Sequence, residues 1–326
     1  MNGFPFSPGQ ASTFAGPYDT LFFSLLALAG VITAGVCLTM VYFLVKYHRG
    51  SRASRVHPTS SNLRLEFTWT IIPLVLSFGV FFYAARLYFN MYRPPARAIE
   101  IQVVGKQWMW KFQHPEGQQE IDELHVPVGQ PIRLNMISQD VIHSFFVPAF
   151  RVKQDVLPGR YTTAWFQATR VGSYHLFCTQ YCGTDHAVMG GQVIVMSQAD
   201  YQTWLANTSG GQTLAQQGAD LFRAYGCSGC HLMDGSGVGP SLIGVYGRPV
   251  HLADGTTVIA DDKYIRDSIL LPKSQVVAGY QPVMPSFQGI LDEGEVLQLI
   301  DYVKSLGAPQ QPGQPAPTVP APGGQP

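Results

Sequence analysis

Two apolar runs open the chain, and both are too long to be strands of a small core. No Asp, Glu, Lys or Arg stands between Leu21 and Val45, and a helix of roughly 20 residues already crosses a 30 Å hydrocarbon layer. The run therefore predicts a membrane-spanning helix. A second run, Phe67 to Ala85, continues through Arg86, Tyr88 and Tyr92, a cation and two rings suited to the head-group zone. Pro73 inside it predicts a bend. The connecting segment carries Lys46, Arg49, Arg52, Arg55 and Arg64 against the single acid Glu66, whereas the first twenty residues hold no Lys or Arg. Cations collect in cytoplasmic loops, so the loop is expected inside the cell and both chain ends outside. A cleaved signal peptide fits the first run less well, because no basic region precedes it and it is too long.

Beyond Arg93 the pattern shortens. "AIEIQVVGKQWMWKF", "PIRLNMISQD", "YTTAWFQAT", "GSYHLFC" and "GGQVIVMS" read as short strands punctuated by Gly, Pro, Asn and Asp, which predicts a sandwich or barrel. A brief helical stretch, "QADYQTWLA", leads to "NTSGGQ", read as a hinge. The period then turns helical. Thr213 with Gln216 and Asp292 with Glu295 stand at capping-box spacing ahead of two such segments. A Pro-, Gly- and Gln-rich end cannot bury a core and reads as a disordered tail. The fold class is therefore multi-domain: a segment 1–17, a two-helix membrane hairpin 18–93, an all-β domain 94–205, an all-α domain 206–307 and a tail 308–326.

Composition narrows the partners. The 326 residues carry 13% charged side chains and zero formal net charge, which lacks the basic footprint of a nucleic-acid binder. The five cysteines, at 37, 178, 182, 227 and 230, form one isolated residue and two close pairs rather than a disulfide framework. Cys37 lies within the first apolar run and reads as a small core hydrophobe.

The pair at 227 and 230 belongs to "CSGCH". In C-x-x-C-H two thiols can form thioethers to a haem while His231 reaches the iron. A zinc knuckle would want a second ligand pair nearby, and a thioredoxin-type pair a βαβ context. For the sixth iron ligand the candidates are Met233, His251 and Met284. Met233 is too close to His231 to reach the opposite face, and Met284 sits on the Pro-bounded "PVMPSF" before the last helix. Pro240 in "GPSL" resembles the cytochrome c proline whose carbonyl receives the histidine ring N–H.

The other pair belongs to "CTQYCGTDHAVM". Thiolate, thioether and imidazole together select copper or zinc over hard cations. Two cysteines four apart allow both sulfurs to bridge two metals, each then wanting an imidazole and a weaker ligand. His186 and Met189 supply one of each, "DVIHSF" offers His143, and the Gln180 carbonyl completes the set. Structural zinc on Cys178, Cys182, His186 and His143 is the competing reading; it leaves Met189 unused.

"DVIHSF", "VLPGR", "LEFTWTIIP", "GKQWMW" and C-x-x-x-C-G-x-x-H-x-x-M together resemble subunit II of haem–copper cytochrome c oxidases over residues 18 to about 205. The remainder resembles the fused cytochrome c of caa-type bacterial oxidases. The resemblance implies a cupredoxin-like Greek-key barrel, then a class I cytochrome c domain. It implies a binuclear copper centre (CuA) held by His143, Cys178, Gln180, Cys182, His186 and Met189, and haem c on Cys227, Cys230, His231 and Met284. It further implies electron input at an exposed Trp108, otherwise a core strand residue, and a proton entrance at Glu66, otherwise a helix-capping acid. The family usually has Glu where Gln180 stands, and an amide suits a hard cation poorly; this departure puts the magnesium or manganese of the subunit interface in doubt. Asp140, Asp155, Arg160 and His175 read as supports, packing or partner contacts, His175 as a core histidine. The function implied is an electron-accepting subunit in a bacterial inner membrane. Its soluble cytochrome c donor, oxidase subunit I, where oxygen is reduced, and subunit III would be its partners in a proton-translocating complex. The alternatives are the copper subunit of a nitric oxide reductase and a membrane-anchored copper-binding or assembly protein; the latter would not need C-x-x-C-H.

Overall fold

The computed structural model describes residues 8–54, 61–208 and 212–307; the tail 308–326, Arg55 and the middle of the expected hinge lie outside them. The two apolar runs form helices α1 (Ala15–Lys46) and α2 (Leu63–Tyr92), each exposing a continuous apolar surface. Tyr83 donates to the Pro17 carbonyl at 3.1 Å across the pair. Cys37 faces outward from α1 and belongs to no core among the described residues. A helix apolar all round has no inner face to assign it to.

Ten strands follow: β1 (Ile99–Lys106), β2 (Met109–Gln113), β3 (Gln119–Ile121), β4 (Glu123–Pro127), β5 (Pro131–Ser138), β6 (His143–Val147), β7 (Val152–Val156), β8 (Thr162–Gln167), β9 (Gly172–Cys178) and β10 (Gly190–Met196). They make two five-stranded sheets, β3-β2-β1-β5-β8 and β4-β10-β9-β6-β7. Between them lies a closed core that includes Ile101, Trp110, Phe112, Met136, Phe145, Phe166 and Leu176. His175 corrects the sequence reading. Buried Leu176 takes the inward position on β9, so strand alternation turns His175 outward, where its ring meets Phe177 at 4.1 Å.

The membrane hairpin is fixed to this domain at both outer ends. Ala11 donates to the Ala149 carbonyl at 3.0 Å and accepts from Thr169 at 2.8 Å; Phe14 enters the core beside Trp165, at 4.6 Å. Arg151 makes a paired bond to Asp19, 2.7 and 2.8 Å. At the end of α2, the Trp165 indole donates to the Asn90 carbonyl at 3.1 Å.

After β10, α3 (Gln198–Thr208) packs back on the β domain, where Trp204 stacks on His125 at 4.8 Å and the Tyr201 hydroxyl meets His114 at 3.3 Å. The last domain is helical: α4 (Leu214–Ala224), α5 (Asp262–Leu270) and α6 (Glu293–Ser305), with a two-stranded ribbon, β11 (Pro249–His251) and β12 (Thr257–Ile259), that the helical pattern did not predict. The α3 helix takes in the first two residues of the expected hinge. Both expected capping boxes form, at Thr213 with Gln216 and at Asp292 with Glu295. α4 crosses α6 at Gly218, where a Cβ would stand 2.0 Å from the Gln298 carbonyl oxygen.

α6 docks on the outer face of β1 and β5. Leu297 is buried against Val104 and Ile137, which is why β1 is buried along both faces. Around this contact lies a cluster of charges. Lys304 reaches Asp262 at 3.0 Å, Glu100 at 3.3 Å and Asp301 at 3.6 Å. Asn135 bridges Asp262 and Gln102 at 2.8 and 3.0 Å, and Arg266 pairs with Glu293. Burial lowers the ammonium pKa of Lys304, but the surrounding carboxylates outweigh it and hold the group charged. Burial raises Asp301 to about 6; Lys304 opposes this, while Glu100 and Asp262 add to it.

Replacing Lys304 by Ala leaves three carboxylates facing one another at this interface and should cost about 3 kcal/mol. Lys153→Ala, which removes an exposed pair with Asp155, should cost under about 0.5 kcal/mol; thermal melting of the purified protein compares the two. Asp301 gives a pH test. Below its ordinary value of 3.8 the carboxyl is protonated whether folded or not. As pH rises toward 6 the unfolded chain ionises first, so this group lowers stability, fully so above that pH. Asp301→Asn should therefore melt higher than the parent at pH 7.5 and at the same temperature near pH 3.5.

Candidate metal centre and haem site

Strand pairing builds the first site. β9 ends at Cys178, which lies opposite Phe145 of β6, so His143, two residues earlier on the same face, stands beside the sulfur. The loop 179–189 then turns back. Cys178 donates its backbone N–H to the Met189 carbonyl at 3.2 Å, and Met189 donates to Asp185 at 3.1 Å, which closes the loop and brings the Met189 thioether over the cysteines. The sulfurs of Cys178 and Cys182 are 3.8 Å apart, too far for a disulfide. Around Cys178 lie His143 Nδ1 at 3.9 Å and the Gln180 carbonyl oxygen at 3.4 Å. Around Cys182 lie His186 Nδ1 at 3.4 Å and Met189 Sδ at 3.7 Å. His143, Cys178, Cys182 and Met189 are buried, and His186 is half-buried.

The outer contacts fix the donors. His143 Nε2 faces Asp140 Oδ1 at 2.8 Å, so Nε2 carries the proton and Nδ1 is the free lone pair. Gly105 lies against the same ring, where a Cβ would come within 3.1 Å of Cδ2. Ser144, beside His143, donates to Asp155 at 2.7 Å. Arg160 is exposed on a turn.

The two thiols respond oppositely to their surroundings. Burial would raise Cys178, but hydrogen bonds from His143 and from the backbones at Ser144 and Gln180 bring it down to about 6. Cys182 is pushed up to about 12 by burial and by the charge on Cys178. The pair thus holds one negative charge readily and a second only against a cation. That electrostatic demand, with two imidazoles, a thioether and a carbonyl oxygen converging on two sulfurs, fits a pair of copper ions. Zinc on four ligands would leave the Met189 thioether aimed at Cys182 without a role.

The second site has a matching order. His231 Nδ1 is 2.8 Å from the Pro240 carbonyl, which accepts its N–H and leaves Nε2 free. Gly239 makes this approach possible, since a Cβ there would stand 2.8 Å from the ring. Cys227 is half-buried and Cys230 exposed on a 3-10 turn after α4. Met284 lines a largely apolar cleft of about 680 Å³ with Leu270, Leu271 and Val283, beside Lys273, Ser274 and Ser286; Cys227, Cys230 and His231 are not among its lining residues. Of the other candidates, His251 is exposed and bonded to Thr257 at 2.9 Å, and Met233 packs into the helical core.

The family of the chain follows from its relatives. Three family models match in chain order: cytochrome c oxidase subunit II, transmembrane domain, at 4–87; its periplasmic domain at 117–197; and cytochrome c at 215–307. Cytochrome c oxidase subunit 2 of Thermostichus vulcanus is 30% identical over 252 residues, 60% of this chain and 76% of that protein. The chain belongs to the cytochrome c oxidase subunit II family. The subunit 2 of Alkalihalophilus pseudofirmus is 28% identical over 313 residues, 89% of this chain and 86% of that protein. The crystal structure of the periplasmic domain of subunit II of cytochrome oxidase from Bradyrhizobium japonicum aligns with 36% of this chain and 96% of its own, at 31% identity and a TM-score of 0.35.

As a subunit II with a cytochrome c domain, the chain is part of a haem–copper oxidoreductase, a membrane protein with a periplasmic domain. Its β domain is cupredoxin-like. A periplasmic subunit II domain implies CuA and a cytochrome c domain implies haem. Two residues that subunit II resemblance singled out look different in place. Trp108 is half-buried, not exposed; its ring packs on Gly183, where a Cβ would be 3.2 Å away, and its indole N–H is buried without an acceptor among the described residues. Glu66 accepts the Asn62 N–H at 3.1 Å while Asn62 accepts from Leu65 at 3.2 Å, a reciprocal cap on α2. Sequence reasoning passed over Gln107 and Gly183, which both touch the site; the only trace was their place within "GKQWMW" and next to Cys182.

Asp140→Asn keeps the size of the group and removes the carboxylate behind His143. Copper affinity, measured by competition with a chelator, should fall about 10- to 100-fold, with the melting temperature of the metal-free protein little changed.

Proposed function

We propose that this subunit accepts electrons from a soluble cytochrome c and passes them, through haem c and then CuA, toward the oxygen-reducing subunit I, with subunit III as a further neighbour. The reading assigns the copper site to residues 94–205 and the haem site to 206–307. The observation that carries it is the convergence of four donors on two cysteine sulfurs 3.8 Å apart in a chain that also matches cytochrome c.

When bound, the two groups supply the reversible one-electron chemistry that none of these side chains provides. The residues hold them. His143, Cys178, the Gln180 carbonyl, Cys182, His186 and Met189 would hold the coppers, and the closed loop with its fixed His143 tautomer would keep the donors in place when charge changes. Cys227 and Cys230 would form the thioethers, with His231 and Met284 as axial ligands and Pro240 fixing the His231 ring. With His231 and Met284 both donating, the haem would be suited to electron transfer rather than to binding oxygen. Trp108, packed on Gly183 beside Cys182, is the input residue of the copper domain. For Glu66 the reciprocal cap favours a structural role over a proton entrance. Exposed Gln180 gives a second, hard cation only a neutral amide. The basic loop between α1 and α2 supports a cytoplasmic hairpin turn and both soluble domains outside.

Metal counts and a visible to near-infrared spectrum of the purified protein test the reading. Two coppers and one iron per chain are expected, with the iron reduced first by cytochrome c and the copper band bleaching after it. One zinc per chain, or a reduced iron that passes no electron to copper, would overturn it.

A further inference from the structure

The donors of the copper site come from two separate pieces of chain: His143 from β6, and the other five from the loop 178–189. Pairing of β6 with β9 sets Cys178 opposite Phe145, and Thr179 donates to the Ser144 carbonyl at 3.1 Å, which registers the start of the loop against His143. At Cys182, farther round the loop, one residue adds a second tie. Gln107, on the turn between β1 and β2, donates its backbone N–H to Asp140 Oδ2 at 2.7 Å, and the other oxygen of that carboxylate orients His143. Its side-chain Nε2 donates to the Cys182 carbonyl at 2.7 Å. We propose that Gln107 is a positioning residue that locks the histidine half of the copper site to the cysteine half. The inference rests on the CuA reading above and adds a residue that does not touch the metals.

The surroundings are shaped to allow this bond. Gly183 follows the accepting carbonyl with φ at +121°, and a Cβ there would come within 2.9 Å of Gln107 Nε2. A side chain at 183 would thus both strain the backbone and push the amide away. The Trp108 ring closes the same gap. The chemistry of the amide also suits the place. It donates without adding charge, where Lys or Arg would put a cation beside the thiolates and Glu would set one acceptor against another. A centre that changes oxidation state with little movement needs its ligands held from outside, and partners of this kind commonly govern metal affinity.

The test uses the full-length protein in its oxidase complex, comparing the parent with Gln107→Leu, Gln107→Glu and, as a control, Gln119→Leu, an exposed amide on β3. Leu keeps the volume and removes the donor; Glu keeps the polarity and removes the donor at neutral pH. Both are expected to release copper to a chelator about tenfold faster, and to shift the near-infrared band and the reduction potential of the copper centre. The metal-free forms should melt with the parent, and Gln119→Leu should match it throughout. Unchanged band, potential and release in both variants would overturn the inference, as would a matching drop in metal-free melting, which marks a role in folding alone. A parent that binds a single metal would overturn the CuA reading and this inference together; a parent with two coppers beside an unshifted Gln107→Leu overturns the inference only.

Discussion

Two buried sulfur atoms 3.8 Å apart cannot both be charged unless positive charge lies beside them. Most of the surrounding structure serves that constraint. One thiol is drawn down by His143 and backbone donors, and the other is held protonated by burial and by its neighbour, so the site stores a demand for cations. The loop cannot relieve the demand by opening, because its ends are bonded to each other and to β6. The two thiols stand free, since a disulfide needs contact near 2 Å. What remains is to bind metal, with the imidazoles and the thioether already in reach.

Rigidity of that kind requires a frame, and the frame is made differently on each side. Toward the membrane it is backbone: residues 11–13 add hydrogen bonds along the domain, Phe14 plugs its core, and Arg151 grips Asp19 at the head of α1. Toward the haem domain it is electrostatic: Lys304, Arg266, Asp262, Glu100 and Glu293 surround a small apolar contact. Buried ion pairs add little net stability but punish any rearrangement that separates them. Such an interface selects one docked arrangement without needing a large hydrophobic area.

Motifs whose partners are local in sequence were legible. Uncharged runs, capping boxes at Thr213 and Asp292, C-x-x-C-H and the cysteine loop all need only spacing, and the six donors do meet. Residues whose meaning depends on which face they turn were not. His175 looked like core because "GSYHLFC" is apolar, but strand parity gives Leu176 the inside. Cys37 looked buried because its helix is apolar, but that helix presents its surface to lipid or partners. Trp108 and Gln107 depend on contact with a loop more than seventy residues away, and no local period carries that information. The consecutive Val103 and Val104 were the one hint that β1 is covered on both faces.

That double covering links the two redox domains through a single strand. Val104 receives Leu297 from the haem domain on the outer face, Gly105 abuts the His143 ring on the inner one, and Gln107, just past the strand, ties Asp140 to Cys182. Three positions within four residues thus touch the docked domain, the histidine donor and the cysteine loop. A strand buried on both sides and paired with β2 and β5 along its length has little freedom to slide, because a one-residue slip would exchange its two faces. Whatever fixes the haem domain on this sheet therefore also fixes the wall behind the copper ligands.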